Sequence, residues 1–463
     1  MRRFKYVFLL LVVLAMVAAA CSSDDSETTT TAAAGGDDTT ETTAEAAAGV
    51  DMAGAEFTLF GAPQAAELDA AIGFVDVYNS EKGSSITVEG SDSYETQIRI
   101  RVEGGNAPVV SFTPQPAMVC EFADMGELIS LEDMGFDIAE LEATRGKFMM
   151  DLGLCDDGKH YGVPWYPNFK SIVFYHKGVF EEKGYEIPET YADMVALSGT
   201  MVADGYTPWC FGYESDAATG WAGTDWIEDI AVRMIGADKY LQWTKGELRF
   251  DTPEIKAVFE KFNEILFGDG FVLGGAENIA ATNFRDSPLP MFNDPPSCLM
   301  LKQGSFIASY FPEGQADAVG TFAFPSIDGV GGALGGGDTL MVFQDDPQAI
   351  QFVKDVIEPD WMCTHASATG GGLSPYGGHG VEGVEFLPGH KDVDPNCNTN
   401  EANIAYATAI TSALGENTFV FDGGDMMPAE VGSGTFWTGM VDHSRGEDLS
   451  TVLANIDKGW PEG

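Results

Sequence analysis

Between residues 55 and 114 the apolar pattern switches period repeatedly, and that alternation limits the folds open to the chain. "AEFTLFGA" (55–62) alternates with period two, and "AAELDAAIGFVDVYNSEKG" (65–83) takes helical spacing and stops at Gly83. "SSITVEG" (84–90) returns to a strand. "YETQIRIRVEGGNAP" reads as a helix ended by Gly-Gly and Pro, and "VVSFTP" (109–114) as a third strand. Period two puts alternate side chains on one face of a sheet, whereas a 3.6-residue period puts them on one stripe of a helix. Strands separated by helices predict a parallel sheet in an α/β domain. "SIVFYHKGVFEEKGY" (171–185) repeats the unit, and "TPEIKAVFEKFNEILFGDGF" (252–271) is an amphipathic helix. "SCLMLKQGSFIASYF" (297–311) reads as a strand entering a glycine turn, "VGTFAFPSIDG" and "DTLMVFQ" as further strands, and "DPQAIQFVKDVIEPDWM" as a helix.

The N-terminus sets the compartment. Arg2, Arg3 and Lys5 precede an apolar run, Val7 to Met16, that leads into "VAAAC". A charged region, a short apolar region and small residues make a signal peptide, here 1–20, to be excluded from the fold. The run is shorter than the roughly 20 residues of a spanning helix. Residues 22–49 hold no side chain larger than Ala in apolar size. Such a segment buries too little surface to offset its ordering entropy, so 21–50 is expected to be a disordered tether with a span of about 30 Å. The body from Asp51 to Gly463 is roughly 410 residues, more than one comfortable core, and two domains are expected.

The chain carries 72 acidic and 24 basic residues, a formal charge of −48. A polyanion would be repelled, which excludes nucleic acid as a partner. Beyond Cys21, six cysteines form an even set in an exported chain, so disulfides are expected. Fifteen pairings are possible; the preferred set is Cys120–Cys155, Cys210–Cys298 and Cys363–Cys397. None lies in a CxxC pair and the six histidines are scattered, so no zinc site is expected. "DPNCNTN" (394–400) lacks EF-hand spacing, so neither is calcium. "GGVGGALGGGD" fits neither a P-loop nor a dinucleotide fingerprint. G-x-S-x-G and H-E-x-x-H are absent. No cofactor is expected.

Six stretches in order carry a family resemblance. They are "GSDSYETQIRIRVEGGNAP" (90–108), "FTPQPAMVCEFADMGELISLED" (112–133), "YGVPWYPNFKSIVFYHKGVFEEKGYEIPETY" (161–191), "DGYTPWCFGYESDAATGWAGTDWIED" (204–229), "DSPLPMFNDPPSCLM" (286–300) and "FDGGDMMPAEVGSGTFWTGMVD" (421–442). The chain resembles the extracellular solute-binding family 1 of ABC importers, the maltose-binding-protein-like proteins, and within it the α-glucoside-type carbohydrate-binding branch. It departs at "APVVSF" (107–112), where the family usually has an acid after the Pro. The signal resembles a bacterial lipoprotein signal cut before Cys21, which would then carry the lipid, although Ala18 stands where that pattern prefers Leu. The resemblance implies a two-lobed α/β fold of the periplasmic-binding-protein type, with a ligand cleft between the lobes and a multi-crossing hinge. Lobe one is placed at 52–172 plus 313–358, and lobe two at 173–312 plus 359–463. The resemblance also places Cys210 beside Cys298 and leaves the other four cysteines open. It implies a monomer without catalytic activity that takes an oligosaccharide to ABC permease subunits and is held to the membrane by its N-terminal lipid.

A neutral sugar has an apolar face and a rim of hydroxyls. Flat rings cover the face, and carboxylates, amides and indole N–H groups bond the rim. "ESDAATGWAGTDW" (214–226), read as a loop, supplies Trp221, Asp225 and Trp226, with Asp225 also placed to cap the helix that continues as "WIEDIAVRMIGA". Trp437 lies among glycines, and the corresponding tryptophan of maltose-binding protein stacks on sugar. Trp165 and Tyr166 follow a strand near the first lobe crossing. Gln115 follows "VVSFTP", where α/β sites lie beyond strand ends. Phe306 falls where another stacking ring would sit, and Asp338 follows a glycine run that allows close backbone approach. For each aromatic the alternative is a place in a lobe core. At the level of function, an exported glycosidase or a sugar-sensing receptor partner remain the alternatives.

Overall fold

The computed structural model describes residues 49–312, 314–359, 361 and 419–461. The signal, Cys21, nearly all of the tether, Cys363 and Cys397 lie outside the described residues, as does the side chain of Tyr166. The strands are β1 (Thr58–Gly61), β2 (Thr87–Gly90), β3 (Val110–Thr113), β4 (Val163–Phe169), β5 (Ile172–His176), β6 (Met300–Lys302), β7 (Val319–Ala323), β8 (Ala333–Val342) and β9 (Phe419–Phe421).

The alternation over 55–114 folds as expected. β1 pairs in parallel with β2 and β3, and helices Ala65–Lys82 and Tyr94–Glu103 connect them. The first helix ends on Gly83 in the left-handed region at φ 74°, a backbone state that costs glycine least. The wholly parallel sheet does not follow. β8 inserts antiparallel between β3 and β4, and β9 joins it in parallel, giving a mixed six-stranded sheet. Helices cover both faces of this sheet, so its central strands β3 and β8 bury both parities. Leu59 and Leu340 face a core with Phe74, Trp165 and Phe352, while Phe60 and Met341 face another with Tyr94 and Phe122.

Every residue of β8 is buried, including the glycines read above as a run before Asp338. A Cβ on Gly335 would stand 2.6 Å from the Phe419 ring. The missing side chain therefore lets β9 approach, and Gly335 lies in a strand.

β5, flanked antiparallel by β6 and β7, forms a second sheet. β7 falls within 313–358, the stretch placed in lobe one, yet it pairs with β5. β9 falls within 359–463, placed in lobe two, yet it pairs with β8. Cys120–Cys155 and Cys210–Cys298 are bonded, with Cα atoms 5.3 and 5.4 Å apart.

The stretch read as a loop is a helix start. Trp221–Thr244 is helical, kinked at Gly236, and its N-cap is Gly220. Asp225 therefore sits inside the helix and does not cap it. Trp226 is fully buried, packed on Trp209, Phe211, Phe262 and Phe324 with ring centroids 5.1–5.6 Å apart. Trp165 is likewise a core ring, against Phe74 and Phe112. Truncating a buried Trp removes transfer energy and leaves a cavity. Trp226→Ala should therefore lower unfolding free energy by about 3–5 kcal/mol, measured by urea denaturation. A loss within surface-mutation range would show that the ring is not a core element.

Candidate functional site

Residues directly beyond the parallel strands converge on one pocket. Ala62 and Pro63 follow β1, Ser91 and Asp92 follow β2, and Pro114 and Gln115 follow β3. Carboxyl ends of parallel strands are where open α/β sheets place ligands, because connections diverge there and leave a crevice. The first helix adds Glu67, the second Glu95, β4 adds Asn168, and β8 adds Asp338. The opposite wall comes from Ser215, Ala218, Trp221, Phe284, Arg285, Phe306, Asp422, Asp425 and Trp437, with Lys170 between the walls. The space is about 880 Å³, part of it open to solvent.

The rings are held by sequence-local features. Trp221 opens its helix and packs edge-on to Phe284 at 5.0 Å and tilted to Phe306 at 5.8 Å. Gly220 precedes it at φ 119°, and a Cβ there would lie 2.2 Å from the Trp437 carbonyl oxygen. Only glycine allows the two tryptophan segments to meet this closely. A wide turn, Glu430–Phe436, feeds Trp437 into its own helix.

Charge is concentrated behind and beside the rings. Lys170 Nζ donates to Asp225 Oδ1 at 3.0 Å and to Asp422 Oδ2 at 2.5 Å, and lies 5.4 Å from the Trp221 ring centre. Burial pushes Asp225 up to about 6 against the pull of Lys170. Burial also opposes ionisation of Asp422, but Lys170 overrides it and holds that carboxyl below its ordinary range. Burial raises Glu228 and Asp425 well above theirs. Asp225, Glu228 and Asp422 offer oxygens within 4.8 Å of one another, the spacing of a cation site, but Lys170 already bridges two of them. On the far wall burial lifts Glu67 to about 7, against a Tyr310 hydrogen bond and the Arg285 guanidinium. Asp338 is raised well above the usual carboxylate range by burial and then by Glu67. Burial also raises Glu95.

Of the residues singled out in the sequence, Trp437, Trp221, Phe306, Gln115 and Asp338 line the pocket. Asp225 stands one layer behind, on Lys170. Trp226 and Trp165 lie in cores. Glu67, Asp92, Glu95, Asn168, Lys170, Phe284, Arg285, Asp422 and Asp425 were missed. The strand-end rule that found Gln115 applies equally to Asp92, whereas Glu67 and Lys170 carry no local signal. Flat rings beside carboxyl, amide and ammonium groups suit a neutral polyhydroxyl ligand.

A mixed sheet with a pocket at its strand ends, beside a second three-stranded sheet, makes a two-lobed fold of the maltose-binding-protein type. Residues 25–363 match the bacterial extracellular solute-binding protein family, and the chain belongs to it. It is 34% identical over 387 residues to the osmoprotective compounds-binding protein GgtB of Synechocystis sp., spanning 83% of this chain and 87% of that one. It is 34% identical over 427 residues to the alpha-glucosides-binding periplasmic protein AglE of Rhizobium meliloti, spanning 89% and 88%. Among solved structures, the bacterial solute receptor AcbH, described as preferring β-D-galactopyranose, matches with TM-score 0.70 at 16% identity, over 87% of this chain and 98% of that one. That last likeness concerns the fold alone.

The raised Glu67 makes stability depend on pH. Its folded pKa of about 7 exceeds the ordinary 4.5, so the folded state binds the proton more tightly. Its contribution is complete below about pH 4.5 and is lost as pH rises through about 7. Glu67→Gln, permanently neutral, should lose less stability than wild type between about pH 5 and 7.5, by up to about 3 kcal/mol. Denaturation curves across that range test this, and parallel pH profiles for the two proteins would refute it.

Proposed function

We propose that this is the lipid-anchored, extracytoplasmic substrate-binding component of an ABC importer. In this reading it captures a neutral oligosaccharide of the α-glucoside type between its lobes and delivers it to the permease without altering it. The observation that carries the proposal is the pocket, where Trp221 and Trp437 stand beside Phe284, Phe306 and a rim of carboxyl and amide groups. Rings cover sugar C–H faces and the polar rim bonds hydroxyls. The relative named for alpha-glucosides supports a sugar ligand of that type. The acidic balance of the pocket disfavours an anion. Closure of the lobes about the strand crossings is the motion expected of such proteins.

A thermal-shift screen of mono- and disaccharides tests the ligand class, since ligand at about 100 times its Kd adds about 2.7 kcal/mol to stability. Trp437→Ala should then weaken the best ligand by about 2–4 kcal/mol, the range for removing an anchor ring. Trp437 is 6% exposed, so affinity is to be measured on the folded fraction, with unfolding followed beside it. Equal affinity in wild type and Trp437→Ala would overturn the site assignment, and slow consumption of the sugar would favour a glycosidase.

The anchor is separately testable. Cys21→Ser should move the exported protein from the membrane fraction to the soluble one, because lipoproteins rely on more than one acyl chain for stable attachment. Soluble wild-type protein with an unmodified N-terminus would remove that part of the proposal.

A further inference from the structure

Away from the pocket, a second group of ligating side chains meets before β4. Glu142 lies on helix Ile138–Arg145, Asp151 ends helix Lys147–Asp151, and His160 forms a bridge with Leu154. One ligand atom from each lies within 4.8 Å of the other two. Acidic neighbours alone would mean little on a chain this acidic, and the imidazole is the discriminating feature. The His160 side chain is only 10% exposed, and its Nε2 is buried with no hydrogen-bond partner among the described residues. Its other nitrogen, Nδ1, pairs with Glu132 Oε1 at 3.0 Å, and the Glu132 carboxylate also accepts the His160 backbone N–H at 3.1 Å. A carboxylate on one ring nitrogen orients the ring, fixes its tautomer and raises the basicity of the nitrogen left free. A buried lone pair with no partner costs free energy that a Lewis acid would recover.

We propose that His160, Glu142 and Asp151 form a site for a divalent transition metal of the zinc class, with Glu132 as the group that orients the imidazole. One nitrogen and two carboxylate oxygens suit zinc, whereas calcium takes oxygen ligands throughout. Three protein ligands leave a position for water. Tetrahedral zinc holds its ligand atoms about 3.3 Å apart, so the three groups must draw inward. Lys147 opposes this in the metal-free chain, because its ammonium bonds Glu142 Oε1 at 3.3 Å and also Asp151 Oδ1. Its side chain is 65% exposed and can leave for water. Lys170, in the Asp225–Glu228–Asp422 group, is buried and has no such exit. A bound ion would tie both short helices to the turn that carries Cys155, the residue crosslinked to Cys120.

The test is calorimetric titration of the untagged mature chain with Zn²⁺, with thermal unfolding in Zn²⁺ or Ca²⁺, all without sugar. The expected result is one Zn²⁺ per chain and a higher Tm with Zn²⁺ only. Affinity should fall about 10- to 100-fold in Glu132→Gln and by at least that much in Asp151→Asn. It should rise in Lys147→Ala, which loses the competing cation. Asp151 is surface-exposed, so its variant should fold even if His160→Gln does not. Absence of Zn²⁺ binding, binding unchanged in Asp151→Asn, or an equal response to Ca²⁺ would each overturn the proposal.

Discussion

The Lys170 ammonium occupies the point where both sheets, the long helix and the pocket meet, and much of the architecture depends on its neutralisation. Lys170 and Ser171 link β4 to β5, and the Lys170 backbone N–H donates to the Leu334 carbonyl of β8. Its side chain reaches Asp225 on the long helix and Asp422 just past β9. Next to it, Ser171 Oγ donates to Asp229, and Asp229 pairs with Arg233 and Lys302. Removing a charge from water costs several kcal/mol unless partners replace the solvent. Lys170, Ser171 and Lys302 reach partners on other elements, whereas Asp229 and Arg233 pair within the long helix, so the arrangement admits few alternatives.

Acid is in excess around that cation. Asp225, Glu228, Asp422 and Asp425 surround one ammonium, and it holds down only Asp422. The others keep protons to higher pH because burial penalises their charged forms. The same holds for Glu67 and Asp338 across the pocket. A protonated carboxyl both donates and accepts, as a hydroxyl does. The raised values therefore suit a wall facing hydroxyl groups better than fully ionised carboxylates would.

Part of the candidate site was legible because composition and strand ends are local. Gln115 follows from a strand end, and Trp437 and Trp221 from rings among small residues. Trp226 was grouped with Trp221 by proximity in a supposed loop. In a helix, residues five apart at about 100° each lie about 140° apart around the axis. One ring therefore turns to the pocket and the other to the core. Asp225 was misread for the same reason, since the helix begins earlier than its acid suggests. Lys170, Glu67 and Arg285 escaped notice because their partners are remote in sequence.

Periodicity, turn residues and capping act over a few positions, so the sequence by itself determined the alternating strands and helices of 55–114, their parallel pairing, and the amphipathic helices Pro253–Leu266 and Pro347–Val356. Tertiary structure alone decided where β8 goes. Its glycine-rich half carries no strand pattern in isolation, and it becomes a buried strand because β3, β4 and β9 supply hydrogen bonds from distant parts of the chain. The same holds for the charges, because an acid's state depends on which cation the fold places beside it and how much water the fold removes.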